Sequence, residues 1–175
     1  LSEKRYSRQF TLAQICINSF NRNRSGNFVR ARLADIEEFF GEMSSLKKND
    51  EDQTRIRNVL KIMDKEFGEK AKNISSRAIA VSAYLFIEGL YMNKKNSLIS
   101  SFVTFYVKLL DTIKRNMELL SHYDRPENPK VMDEFQKYVL QASVEPSSIK
   151  RRDDFLKIAF DYYRKPATKG RIVGS

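Results

Sequence analysis

Residues 77–92 read RAIAVSAYLFIEGLYM, a stretch that is apolar on nearly every side of a helix. A helix with apolar residues all round is buried at the centre of a globular protein. Ser82 and Glu88 interrupt the apolar run, which is too short to cross a bilayer, so we expect no membrane contact. These residues therefore predict the central helix of an all-α fold.

Amphipathic stretches on both sides predict the helices that surround this centre. Apolar residues recur there at three- and four-residue spacing, and the chain has only six Gly and four Pro, which argues against a β-sandwich or barrel. A polar loop is expected at residues 21–27. The sequence therefore predicts a single irregular bundle of about seven helices. We expect this bundle to form one domain over residues 1–175. The six further helices are expected at residues 7–20, 28–43, 50–67, 97–121, 130–141 and from Pro146 onward.

The cysteine and histidine content excludes several classes of site. Cys16 is the only cysteine, so no internal disulfide can form, and a single His122 leaves too few ligands for a zinc finger or ribbon. Cys16 lies between apolar neighbours and is expected to be a buried structural thiol. We expect neither a metal nor a cofactor. The lone cysteine and the lack of a recognisable signal peptide favour a cytoplasmic location.

Positive charge is unevenly distributed along the chain. The 32 Lys and Arg against 22 Asp and Glu give a net charge of +10. Residues 1–34 carry +6, residues 35–52 carry −5, residues 53–95 carry +5, residues 96–145 carry −1 and residues 146–175 carry +5. If the two basic ends meet in the fold, they form a positive face suited to phosphates, with duplex DNA favoured. The alternative is a structural bundle whose charge keeps it soluble or pairs with an acidic partner.

Three basic clusters supply the candidate nucleic-acid-binding residues. Lys and Arg suit phosphate contact because both displace condensed counterions and Arg can bind a phosphate through two hydrogen bonds. The candidates are Arg22, Arg24, Arg30, Arg32, Lys150, Arg151, Arg152, Lys165, Lys169 and Arg171.

One pair of residues suggests a catalytic alternative. Arg115 and His122 are seven residues apart, which places them two turns apart on one helical face. The pair, with Asn116 after the arginine, resembles the Arg-x(4–6)-His signature of HEPN ribonucleases, which are helical bundles. The resemblance implies that this pair would bind the scissile phosphate and shuttle a proton. Alternatively, His122 at a helix end only interacts with the helix dipole.

The order of segments also resembles a larger family. Loose patterns at residues 32–40, 67–71, 76–80, 135–138 and 147–152 are similar to the C-terminal helical half of the ParB/sulfiredoxin-like DGQQR-motif family. That family includes the small-subunit half of GmrSD-type modification-dependent restriction enzymes and related anti-phage proteins.

The family resemblance implies that catalysis and the helical domain lie in different halves of the protein. In such proteins the nucleotide- and DNA-cleavage chemistry lies in an N-terminal α/β half that holds the DGQQR motif. This chain has no such motif, so no catalytic residue can be transferred to it. The resemblance implies a C-terminal fragment: a nucleic-acid-engaging or regulatory domain of a bacterial defence nuclease or NTPase, whose partner is the α/β domain of the same protein.

Overall fold

The described part of the chain is all-α, as predicted. The computed structural model describes residues 3–43, 50–74, 76–120 and 144–165, and these residues contain six α-helices and no strand. The predicted helix at residues 130–141 lies outside the described residues. Short 3₁₀ helices cover Gly68–Asn73 and Asn96–Leu98. The α-helices are α1 (Glu3–Ser25), α2 (Leu33–Glu42), α3 (Glu51–Phe67), α4 (Arg77–Met92), α5 (Ile99–Leu120) and α6 (Pro146–Arg164).

Helix α4 is the centre of the bundle, in agreement with its apolar sequence. It packs against α1, α3, α5 and α6, and an almost unbroken run of its side chains is buried. The Ser76 hydroxyl accepts a hydrogen bond from the Ile79 amide and so caps the first turn. Among the described residues, no helix is both long enough and apolar enough to serve as a membrane span.

The core beside α4 is aromatic. Phe102 on α5 is fully buried, and its ring stacks on Phe86 at 4.1 Å and on Tyr106 at 5.3 Å between ring centroids. The edge of Phe160 from α6 meets the same ring at 5.5 Å. Three helices are therefore joined through one phenylalanine.

The boundary between α1 and α2 differs from the prediction. The expected loop at residues 21–27 is wrong, because α1 continues to Ser25 and ends at Gly26, whose φ of +74° suits glycine. The side-chain amide of Asn21 donates to the backbone carbonyl of Ile17 over 2.9 Å. The Ser25 hydroxyl donates to the backbone carbonyl of Asn21, also over 2.9 Å. The polar side chains thus bond back onto their own helix and extend it.

Residues 28–32 were expected to be helical and are extended instead. Side chains of α1 hold this segment, since Asn18 accepts from the Val29 amide over 3.1 Å and Gln14 donates to the Ala31 carbonyl over 3.1 Å. The Asp35 carboxylate then accepts from the Arg32 amide over 2.8 Å, and α2 begins at Leu33.

Two apolar positions of α2 are more exposed than their spacing predicted. Leu33 and Phe40 are 58% and 46% exposed, whereas Phe39 is buried against Phe20. The buried side of α2, which contains Ile36 and Phe39, is therefore narrower than the apolar stripe in its sequence.

Candidate nucleic-acid interface

The predicted cations at the end of α1 bond to groups of neighbouring helices, although Arg24 remains half exposed. Arg22 is half-buried, and its guanidinium donates to the Leu85 carbonyl of α4 over 2.5 Å. Arg24 pairs with Asp52 of α3 at 3.2 Å and lies over the Phe20 ring. Both arginines therefore connect α1 to neighbouring helices.

Arg30 and Arg32 are exposed but are paired with carboxylates. Arg30 binds Asp35 through two nitrogens, the closest at 2.7 Å, and this guanidinium holds the pKa of Asp35 below its ordinary value. Arg32 forms an ion pair with Glu145, which immediately precedes α6. A phosphate would compete with a carboxylate for each of these arginines.

The predicted α6 cluster divides between surface and core. Lys150 and Arg151 are exposed, and Lys150 pairs with Asp154 one turn later. Arg152 is only 1% exposed, and its Nε donates to the Ser82 hydroxyl of α4 over 3.0 Å. Burial lowers the pKa of Arg152. Because it is buried, Arg152 is not part of an exposed basic surface.

The C-terminal candidates are only partly described. Lys165 is exposed directly after α6. Lys169 and Arg171 lie outside the described residues. Of the ribonuclease pair, Arg115 is exposed on α5 and its Nε donates to the Asp111 carbonyl, while His122 also lies outside the described residues.

The two basic segments do meet, but the cleft between them is acidic. The Ala31 amide donates to the Val144 carbonyl over 3.3 Å, which brings the segment before α2 against the start of α6. A cleft of about 640 Å³ opens beside this contact. Among the described residues, four carboxylates and two guanidinium groups line it, so these residues do not form the predicted positive face there. The carboxylates belong to Asp35, Glu38, Glu42 and Glu145, and the guanidinium groups to Arg24 and Arg30.

Another group of cations remains exposed and without a carboxylate partner among the described residues. We call it the α3 basic surface: Arg57, Lys61 and Lys65 on α3, with Lys70 and Lys72 in the 3₁₀ helix that follows. Four-residue spacing places the three α3 cations along one face over about 12 Å. Three carboxylates lie in the same stretch, and none of them forms an ion pair with these cations. They are Asp64, Glu66 and Glu69.

Two signals in the sequence point to this surface. Residues 53–95 carry a net charge of +5, as much as the C-terminal segment. The spacing of Arg57, Lys61 and Lys65 also marks one helical face. The candidates predicted from the sequence did not include this surface.

A buried polar network lies beneath these surfaces and joins α1, α3 and α4. Arg55 Nε donates to Glu88 over 2.9 Å, its Nη1 donates to Asp52, and its Nη2 donates to the Ser19 carbonyl over 3.3 Å. The Tyr84 hydroxyl donates to Glu88 over 3.3 Å, and burial raises the pKa of Tyr84. Burial alone would lower the pKa of Arg55, but the hydrogen bonds to Glu88 and Asp52 raise it. The guanidinium therefore stays charged between two buried carboxylates. The network thus has a structural role, since it holds α1, α3 and α4 together.

Cys16 packs half-buried against the core, next to this network. Burial and the charge of Glu88 raise the pKa of its thiol from 9.0 to about 11. A shift of this size lowers the thiolate fraction near neutral pH by about 100-fold. Iodoacetamide labelling followed by mass spectrometry should therefore be at least that much slower for the native protein than for the protein in urea. A native rate within tenfold of the unfolded rate would contradict the burial of Cys16.

In the described ranges, His, Cys, Asp and Glu side chains form no group of three or more that could bind a metal ion.

Comparison of the chain with protein-family models, curated proteins and solved structures finds no match in any of the three. The family resemblance therefore stays a prediction.

Proposed function

We propose that this domain binds duplex nucleic acid, with DNA favoured, through the α3 basic surface. The observation that carries the proposal is that these five exposed cations have no carboxylate partner among the described residues. Phosphates could therefore pair with them without competing against an internal ion pair, in contrast to Arg30 and Arg32.

The shape of the surface favours a duplex over single strands. Single-strand binders stack bases on exposed aromatic rings. Phe67 is the only aromatic residue in residues 57–72, and it is 3% exposed. The face from Arg57 to Lys65 spans about 12 Å, comparable to the width of a DNA major groove, so its ends could reach separate phosphates. Contacts of this kind would position the protein without reading the base sequence.

Salt dependence tests the proposal. The domain should bind a duplex of about 20 base pairs, and log K should fall linearly with log salt at about 0.9 per phosphate contact. Reversal of two cations in K61E/K65E should weaken binding and reduce that slope by about 1.8. Fluorescence anisotropy between about 50 and 200 mM salt gives both quantities.

The matched control is K150E/R151E, which makes the same charge change on α6, where the sequence predicted contacts. We expect a much smaller effect from it, and circular dichroism would verify that both variants fold. A larger loss from the α6 variant than from the α3 variant would overturn the α3 assignment in favour of the basic ends. No binding by the unaltered domain at low salt would reject nucleic-acid binding and leave the structural, partner-binding alternative.

For the parent protein, we propose the role implied by the family resemblance, a DNA-engaging or regulatory domain of a defence nuclease. The support is the order of segments together with an all-α, basic domain. The full-length gene provides the test, since an upstream strand-rich half with an Asp-Gly-Gln-Gln-Arg motif is expected. An upstream region of another kind would remove this role without affecting the proposal for the α3 basic surface.

A further inference from the structure

A groove beside the α3 basic surface has a different chemistry. It runs between the first half of α1 and the start of α4, and its volume is about 380 Å³, within the range of ligand-binding pockets. Its apolar lining includes Ile15, Leu60 and Ile74 from three parts of the fold. We call it the α1–α4 groove.

One face of α1 forms a wall of this groove. Arg8, Thr11, Leu12 and Ile15 lie at positions i, i+3, i+4 and i+7, which follow one another along a helix for about 10 Å. Ile15 is buried, but Leu12 is 45% exposed. The wall therefore presents a partly exposed leucine to an elongated apolar groove.

The charged groups at the groove are all positive. Of the residues whose side chains the structure describes, Arg8 and Arg77 line it, and no carboxylate does. Neither arginine forms an ion pair with a carboxylate of the described residues. The Arg77 guanidinium lies over the Phe10 ring at 4.9 Å, so this aromatic face is occupied and does not offer a base-stacking platform.

We propose that the α1–α4 groove binds an acidic amphipathic helix of a partner protein. An apolar side chain of that helix would pack between Leu12, Leu60 and Ile74, and its Asp or Glu residues would pair with Arg8 and Arg77. A helix fits an elongated groove with aliphatic walls because it satisfies its own backbone hydrogen bonds and presents apolar residues along one stripe. The proposal does not depend on nucleic-acid binding.

Selection from a phage-displayed library of randomised helical peptides tests the proposal. We expect the selected peptides to carry Leu or Ile at i and i+3 or i+4, flanked by Asp or Glu. Binding of a synthetic selected peptide should weaken at least tenfold in L12D, because the new carboxylate adds a charge to the apolar wall, repels the acidic peptide and competes with it for Arg8 one turn earlier. The control L33D changes a comparably exposed leucine on α2 and should leave binding unchanged, and circular dichroism would verify that both variants fold.

Further measurements distinguish the binding of an acidic helix from the binding of other ligands. The variant K61E/K65E should lose duplex binding and keep peptide binding, so that failure of one proposal is distinguishable from failure of the other. Three results would overturn the docking proposal. They are selection of no helix, selection of helices without acidic residues, and equal binding of the selected peptide to L12D and to the unaltered domain. Binding of decanoate that depends on Leu12, with no helix selected, would also overturn the proposal, because that result would assign the groove to a small amphiphile.

Discussion

Replacement of Arg55 by Met should lower the free energy of unfolding by about 3–5 kcal/mol, the usual cost of removing one partner from a buried ion pair. Asp52 and Glu88 are each no more than 5% exposed and both accept hydrogen bonds from this guanidinium. Without it, Glu88 would retain only hydroxyl donors. Urea unfolding monitored by circular dichroism gives the free energy.

Controls separate the unpaired charge from the loss of a side chain. K61M changes an exposed cation on the same helix and should cost less than about 0.5 kcal/mol. The double variant R55M/E88M should be less destabilised than R55M alone, because apolar replacements remove the unpaired Glu88 carboxylate, while Asp52 keeps Arg24 as a partner. A loss below about 1 kcal/mol in R55M would mean that water reaches the two carboxylates.

Truncation of Phe102 to Ala should cost about 3–5 kcal/mol, the range for large-to-small changes in well-packed cores. Its ring contacts Phe86, Tyr106 and Phe160, which belong to three helices, so the surrounding side chains cannot close the cavity without moving α4, α5 or α6. Chemical denaturation with guanidinium chloride gives the change in free energy.

The matched control for Phe102 is F40A on α2. Phe102 is fully buried, whereas Phe40 is 46% exposed. F40A should therefore cost less than about 1.5 kcal/mol, since part of its ring already contacts water. Similar losses for the two variants would show that Phe40 is buried to the same extent as Phe102.

The buried network constrains how the domain can work. Arg55 holds α1, α3 and α4 together, and the α3 basic surface lies on the same helix as this arginine. The three α3 cations are thus carried by a helix fixed at its first half, which favours a surface of constant shape.

The sequence was sufficient for features that depend on neighbouring residues. The apolar run of residues 77–92 predicted the central helix, and the polar residues before α3 and α4, together with Pro146, predicted where α3, α4 and α6 begin. Helix periodicity and capping act within one or two turns, so that the local order of residues contains the information. The start of α2 was mispredicted because Asn18 and Gln14 of α1 bond to a segment more than ten residues away.

The sequence by itself determined the all-α class, the central helix and the positive net charge, because these follow from composition and local spacing. Only the tertiary structure decided which cations remain available to a partner. Arg24 and Arg32 are paired with carboxylates 28 and 113 residues away, and Arg152 is buried beside Ser82. An ion pair requires an approach within about 4 Å, which residues so distant in sequence achieve only when helices pack together. The same packing leaves Arg57, Lys61 and Lys65 without such a partner among the described residues, and it places Arg8 and Arg77 at one apolar groove.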